Sequence, residues 1–174
     1  MSRFRRITRY GLVGLLLLLV MGLLLPEGRQ LPVQGANAGD WHPQTFWYHP
    51  WGKSGVHKGV DIFAPTGTPV LASSGGLVVF RGELRRGGKV VLVLGPRWRL
   101  HYYAHLADIT ETGPWLWAGE SVGTVGSSGN AAGKPPHLHY SLVSLLPLIW
   151  KADGAPQGWK KMFSLNPLRH FDVR

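Results

Sequence analysis

The chain has 174 residues, no cysteine, 24 glycines, 13 prolines and a formal net charge of +10. Without cysteine, disulfides, thiol catalysis and Cys-held zinc are excluded, so any metal falls to His, Asp or Glu. So much glycine and proline excludes a helical bundle, and 44% hydrophobic residues exclude global disorder; the length suits one domain with a short extra segment.

In chain order, Arg3, Arg5, Arg6 and Arg9 precede an uncharged apolar run over residues 10–25, closed by Pro26. At 16 residues the run falls just short of the roughly 17–25 of a spanning helix and just beyond the roughly 7–15 of a signal-peptide core. It has no polar face, which argues against a helix buried in a globular domain. The pattern predicts an N-terminal transmembrane or signal helix over 1–25. As an uncleaved anchor it would make the cytoplasmic membrane a partner and put the remaining chain on its periplasmic or extracellular side, because the arginines stay inside. The alternative is export with cleavage after Ala36-Asn37-Ala38, an A-x-A site 11 residues beyond the run. Residues 26–40 read as a linker, small, polar and broken by Pro and Gly. Trp41, Phe46, Trp47, Tyr48 and Trp51 then crowd one segment, either as a lid on the core or as a stacking wall for sugar rings.

Beyond residue 68 the pattern is β. Short runs rich in Val, Leu and aromatics cover 68–73, 76–81, 89–94, 97–104, 121–125 and 138–143. Ser74-Gly75, Gly87-Gly88 and Gly95-Pro96 separate the first four as turns. No stretch after Leu25 holds a 3.6-residue period, so residues 41–174 are expected to form one mainly β, antiparallel domain. The basic residues beyond the N-terminus are scattered, with only Arg85-Arg86 and Lys160-Lys161 adjacent, so nucleic acid is not an expected partner. Nothing in the sequence sets the oligomeric state.

Three short stretches gather histidines. His57 and Asp61 are four apart; on a straight strand they would stand roughly 13 Å apart, so only a bend at Gly59 brings them together. His137 and His139, two apart, share one strand face with Cα atoms roughly 6.6 Å apart, a spacing open to metal chelation or to an ordinary polar edge. His101, Tyr103 and His105 also share a face on a regular strand, and spacing does not separate the two histidines. No H-E-x-x-H occurs, which excludes the zinc-protease helix with its glutamate base.

Together these stretches resemble the LytM/lysostaphin-type zinc metallopeptidases, peptidase family M23. The resemblance runs through His57-Lys-Gly-Val-Asp61, Pro65-Thr-Gly67-Thr68-Pro69-Val70, Tyr103-Ala104-His105-Leu106, the glycines 123, 126 and 129, His137-Leu138-His139-Tyr140 and Asn166-Pro167-Leu168. It implies a β fold around one zinc ion held by His57, Asp61 and His139, with His105 and His137 as the catalytic pair beside a metal-bound water. It implies an endopeptidase whose substrate is the peptide cross-link of bacterial peptidoglycan; the alternative is a non-catalytic relative that binds cell wall or activates a hydrolase. His101 has no role in the family pattern and is expected to be structural. Ser141 stands where the family often has Glu, a departure expected to touch no ligand, and residues 144–163 form an insertion that would shape the groove or lie on the membrane.

Overall fold

The computed structural model describes residues 3–171; Met1, Ser2 and 172–174, the end of the expected 41–174 domain, lie outside the described residues. The leucine-rich run folds as a helix, α1 (Arg3–Leu24), which stops just before Pro26, where the ring would clash with the preceding turn. The 15 residues of the apolar run that lie in α1 rise about 22 Å, less than the roughly 30 Å hydrocarbon core of a bilayer. Among the described residues no helix is long and apolar enough to cross a membrane, so the structure lends the expected span no support. α1 rests on the domain through Trp98, whose indole N–H donates to the Leu19 carbonyl at 2.9 Å.

After α1 all regular structure is strand or 3₁₀ turn among the described residues, as the missing helical period predicts. The strands are β1 (Val60–Phe63), β2 (Pro69–Leu71), β3 (Gly76–Leu84), β4 (Gly88–Gly95), β5 (Arg99–Ile109), β6 (Trp115–Leu116), β7 (Ser121–Val125), β8 (His137–Ser144) and β9 (Ser164–Leu165). They form one antiparallel sheet in the order β1-β8-β5-β4-β3-β6, with β7 joining β5 to β2 and β9 lying along β8. β1, β6 and β9, two to four residues each, carry too few residues to show a period, and the sequence did not reveal them. Val60, Ile62, Val70, Tyr103, Leu138 and Tyr140 meet in a core without measurable exposure. At about 25 cal/mol per Å² of apolar surface, such full burial stabilises by roughly 1.5–3 kcal/mol for each large aliphatic side chain.

Two segments make contacts that their composition does not reveal. Residues 26–40 run beside β2 and the turn that follows it. Gln30 N–H donates to Ser73 O at 3.1 Å, Leu71 N–H to Pro32 O at 2.9 Å and Gln34 N–H to Pro69 O at 3.0 Å, and Val33 pairs with Val70 and is buried. The polar, Pro-broken composition hides this because one buried valine and three main-chain bonds are enough to add an edge. The insertion 144–163 folds back on the aromatic segment, where Trp47 Nε1–H donates to Pro156 O at 3.2 Å and Gln157 Nε2 donates to Ser54 O at 2.8 Å. Trp41 and Trp47 are buried, which is the lid, while Trp51 stays partly open.

Candidate active site

The aromatic segment doubles back on itself to deliver His57. Trp47 N–H donates to His57 O at 2.7 Å and His57 N–H to Tyr48 O at 3.0 Å, with Trp51 and Gly55 bridged at the tip. Trp51 stacks on the His57 ring at 4.3 Å between centroids and 29° between planes. The chain then bends at Gly59, as the His57–Asp61 spacing requires. A Cβ at Gly59 would stand 2.5 Å from Tyr140 O and 2.8 Å from the His139 ring, so only glycine lets β1 approach β8 this closely. The β1–β8 register places Asp61 directly opposite His139, and cross-strand partners share a face.

As a result His57 Nε2 lies 3.1 Å from Asp61 Oδ1 and 3.1 Å from His139 Nδ1, and His139 Nδ1 lies 2.7 Å from Asp61 Oδ1. Among the described residues these three form a group able to hold a metal ion. Their chemistry fits one. His57 Nδ1 is 2.9 Å from the Thr45 carbonyl, an acceptor that takes the ring proton and leaves a lone pair on Nε2. His139 Nε2 is 2.9 Å from Ser141 Oγ, which takes that ring's proton and leaves a lone pair on Nδ1. Two lone pairs and a carboxylate facing one another repel unless a cation stands among them. Tetrahedral ligands at about 2.0–2.1 Å from zinc stand about 3.3 Å apart, close to this spacing.

His105 reaches the site through a fault in β5. Upstream of it β5 pairs with β8, Ala104 opposite His139; downstream Leu106 pairs with Val125 of β7. The pairing with β4 slips over the same stretch, and His105 itself takes φ +64°, a left-handed conformation costly for a non-glycine residue. The expected face shared with His101 and Tyr103 is therefore broken. His105 turns towards His137 and His139, with ring centroids at 5.1 and 6.0 Å, while His101 is buried behind the sheet with its Nδ1 2.7 Å from Tyr140 Oη. His101 is held neutral, its pKa lowered to about 3 by burial and by His170 and Arg99, so its 3.8 Å approach to Glu27 is not an ion pair.

His105 Nδ1 lies 2.9 Å from Ser128 O, and His137 Nδ1 lies 2.8 Å from Pro135 O. In each ring the carbonyl takes the Nδ1 proton and leaves Nε2 as the basic atom. Burial, then His139 and His137, lower the His105 pKa to about 4, so the ring is neutral near pH 7. All five site residues expected from the sequence line one cavity of about 210 Å³. Three neighbours escaped sequence reasoning. Tyr102, edge-on to His139 at 6.2 Å, is on the site side by strand alternation from His101, which the sequence does offer as a signal. Thr45 and Ser141 carry no motif, and Ser141, expected to touch no ligand, in fact holds His139.

A profile described as peptidase family M23 matches residues 55–147, more than half of the chain. The chain belongs to peptidase family M23. Over 113 residues it is 38% identical to the L-Ala–D-Glu endopeptidase of Bacillus subtilis, covering 59% of this chain and 35% of that protein. It is 39% identical over 85 residues to the DD-carboxypeptidase/endopeptidase Mpg of Neisseria meningitidis, covering 49% and 19%. The chain thus spans between about a fifth and a third of the length of these curated M23 relatives. The catalytic domain of lysostaphin from Staphylococcus simulans superposes with a TM-score of 0.57 at 25% identity, over 75% of this chain and 92% of that one. The mainly β, LytM/lysostaphin-type sheet expected from the motifs is the fold observed.

Proposed function

We propose that this M23 chain is a zinc-dependent endopeptidase hydrolysing peptide cross-links of bacterial peptidoglycan. The observation that carries the reading is the convergence of two lone-pair nitrogens and one carboxylate oxygen within 3.1 Å, flanked by two imidazoles that hold no such position themselves. Zinc bound there would supply a water of pKa near 7 and a Lewis acid for the scissile carbonyl. His57, Asp61 and His139 hold it, and Thr45 and Ser141 fix the tautomers that let them. His105 and His137 present their lone-pair Nε2 atoms to the cavity, where one takes the attacking water's proton and then passes that proton to the leaving amine. No glutamate lines the cavity, so this task falls to the imidazoles. Beside the site a further cavity of about 610 Å³ is lined by Lys53, Arg85, Arg86 and Lys134, suited to a peptide that carries carboxylates. The names of two relatives, a DD-carboxypeptidase/endopeptidase and an L-Ala–D-Glu endopeptidase, agree with a peptide substrate of that kind.

The domain acts on the outer side of the cytoplasmic membrane in this reading, supported by four arginines ahead of the apolar run. A C-terminal alkaline phosphatase fusion should be active in intact cells; an inactive fusion overturns that placement. For the chemistry, the purified full chain should carry about one zinc per chain and release soluble muropeptides, identified by mass spectrometry, from peptidoglycan. His57→Ala, Asp61→Ala and His139→Ala should each lose both properties. Failure of the wild type to retain zinc after supplementation sinks the metal assignment. Zinc retention without muropeptide release would make the chain a wall-binding or hydrolase-activating relative instead.

A further inference from the structure

A cavity of about 500 Å³, with His170 in its lining, opens towards the Arg99–Ser144 end of the β5–β8 pair, apart from the five site residues. Six cations line it: Arg29, Arg97, Arg99, Lys151, Lys161 and Arg169, with no Asp or Glu among the lining residues. Glu27 pairs with Arg99 from beneath and Asp153 pairs with Lys161. Arg29, Arg97, Lys151 and Arg169 have no ion-pair partner among the described residues. Their crowding is felt inside the cluster: burial lowers the Arg99 guanidinium pKa, Glu27 opposes that, and the like charges of Arg97 and Arg29 press it down again. An anion relieves this repulsion, and a guanidinium-rich lining favours an oxyanion that accepts paired N–H bonds.

Three further observations narrow the anion. Phe46, Trp47, Leu142 and Leu165 also line the cavity, so it suits a charged group attached to an apolar body. The apolar helix α1 docks on Trp98, next to Arg97, and the chain leaving it supplies Glu27 and Arg29 to the cluster. Arg97 and Trp98 both hold left-handed backbone, at φ 58° and 56°, in a tight turn that brings the α1 contact and the cavity lining together. On the insertion, Lys151 follows Ile149 and Trp150, which are 69% and 74% exposed, the apolar and aromatic content of a membrane-interface element.

We propose that this basic cavity binds the phosphate of an anionic phospholipid headgroup and holds the domain against a bilayer surface through the rim of α1 and the Ile149–Lys151 turn. Surface attachment of this kind needs no helix that spans the bilayer. It does not depend on the peptidase reading, because its test measures no hydrolysis.

Co-sedimentation of the full chain with phosphatidylcholine vesicles, with and without phosphatidylglycerol, tests it. Helix insertion contributes to both, so the readout is the preference for the anionic vesicle. Arg97→Gln/Arg169→Gln should lower that preference by about 10-fold or more, at roughly 1 kcal/mol per basic residue near an anionic surface. Arg97→Lys/Arg169→Lys should retain part of it, and Arg85→Gln/Arg86→Gln, an equal charge loss outside the cavity, should leave it within about 2-fold. Unchanged melting temperatures certify that the variants fold. An equal loss in the Arg85/Arg86 variant would reduce the effect to net charge and overturn the proposal. An intact preference in the Arg97/Arg169 glutamine variant overturns it directly. If inorganic phosphate alone raises the melting temperature through Arg97 and Arg169 while vesicle preference does not depend on them, the ligand is free phosphate and the lipid assignment falls.

Discussion

His105 and His101 lie on one strand four residues apart, yet a single dihedral of +64° sends one to the cavity and leaves the other in the core. His105→Ala should keep zinc and melting temperature while slowing muropeptide release by roughly 10²-fold or more, the scale of losing a proton-transfer group or an oxyanion donor. Zinc loss in that variant would make His105 a ligand. His101→Ala should do the reverse. It empties a fully buried site and removes the His101 partner of the Tyr140 hydroxyl, costing about 2–4 kcal/mol by denaturant titration while leaving the rate within a few-fold. Ser141 gives the third test at this scale. Ser141→Ala removes the partner of His139 Nε2 and should weaken zinc binding about 10-fold or more, whereas Ser141→Thr, which keeps the hydroxyl, should weaken it far less. Equal zinc affinity in the Ala and Thr variants would show that the contact does not orient the ligand.

At the scale of elements, the segment before the aromatic hairpin decides where the domain begins. Glu27 is almost wholly buried against Arg99, and Val33 pairs with Val70, so residues 26–40 close both a charge and an edge. A chain starting at residue 41 leaves Arg99 half-buried without its carboxylate and uncovers Val70. It should lose at least about 3 kcal/mol, or roughly 10 °C in Tm, relative to a chain starting at residue 26. Equal melting temperatures would return the segment to the status of a linker. The strands expected at 76–81, 89–94, 121–125 and 138–143 lie within longer or equal observed strands because each has several β-branched or apolar residues and a turn beside it. The 97–104 expectation ended five residues early, since β5 continues past the fault at His105 by changing partners from β8 to β7. A change of neighbour leaves no mark on local composition.

For the molecule as a whole, the group around His101 links acid to stability. Its folded pKa of about 3 lies below the unfolded value near 6.5, so between those values the unfolded chain binds more protons. Its contribution is complete above about pH 6.5 and is lost progressively as the pH falls towards 3. Glu27, whose pKa burial raises, takes up its proton early in the folded state and offsets a part of this. The denaturant midpoint should therefore fall over that window, and less steeply in His101→Gln, which carries no titrating ring. An equal slope in both proteins would show that His101 is not the acid-sensitive group.

The amino-acid sequence by itself determined the chemistry available: imidazoles and one carboxylate with no thiol, a bend required at Gly59, and an alternation that puts His137 and His139 on one face. These are properties of residue type and of spacings of two to four, which the backbone period converts into geometry wherever the strand lies. Tertiary structure alone decided which histidine of β5 serves the site, that Ser141 holds His139, and that Val33 bridges to Val70 of β2. Each of these depends on which strand lies beside which, through the Asp61–His139 register and the shift of β5 from β8 to β7. Pairings between residues tens of positions apart are set by how the whole core packs, not by any local pattern.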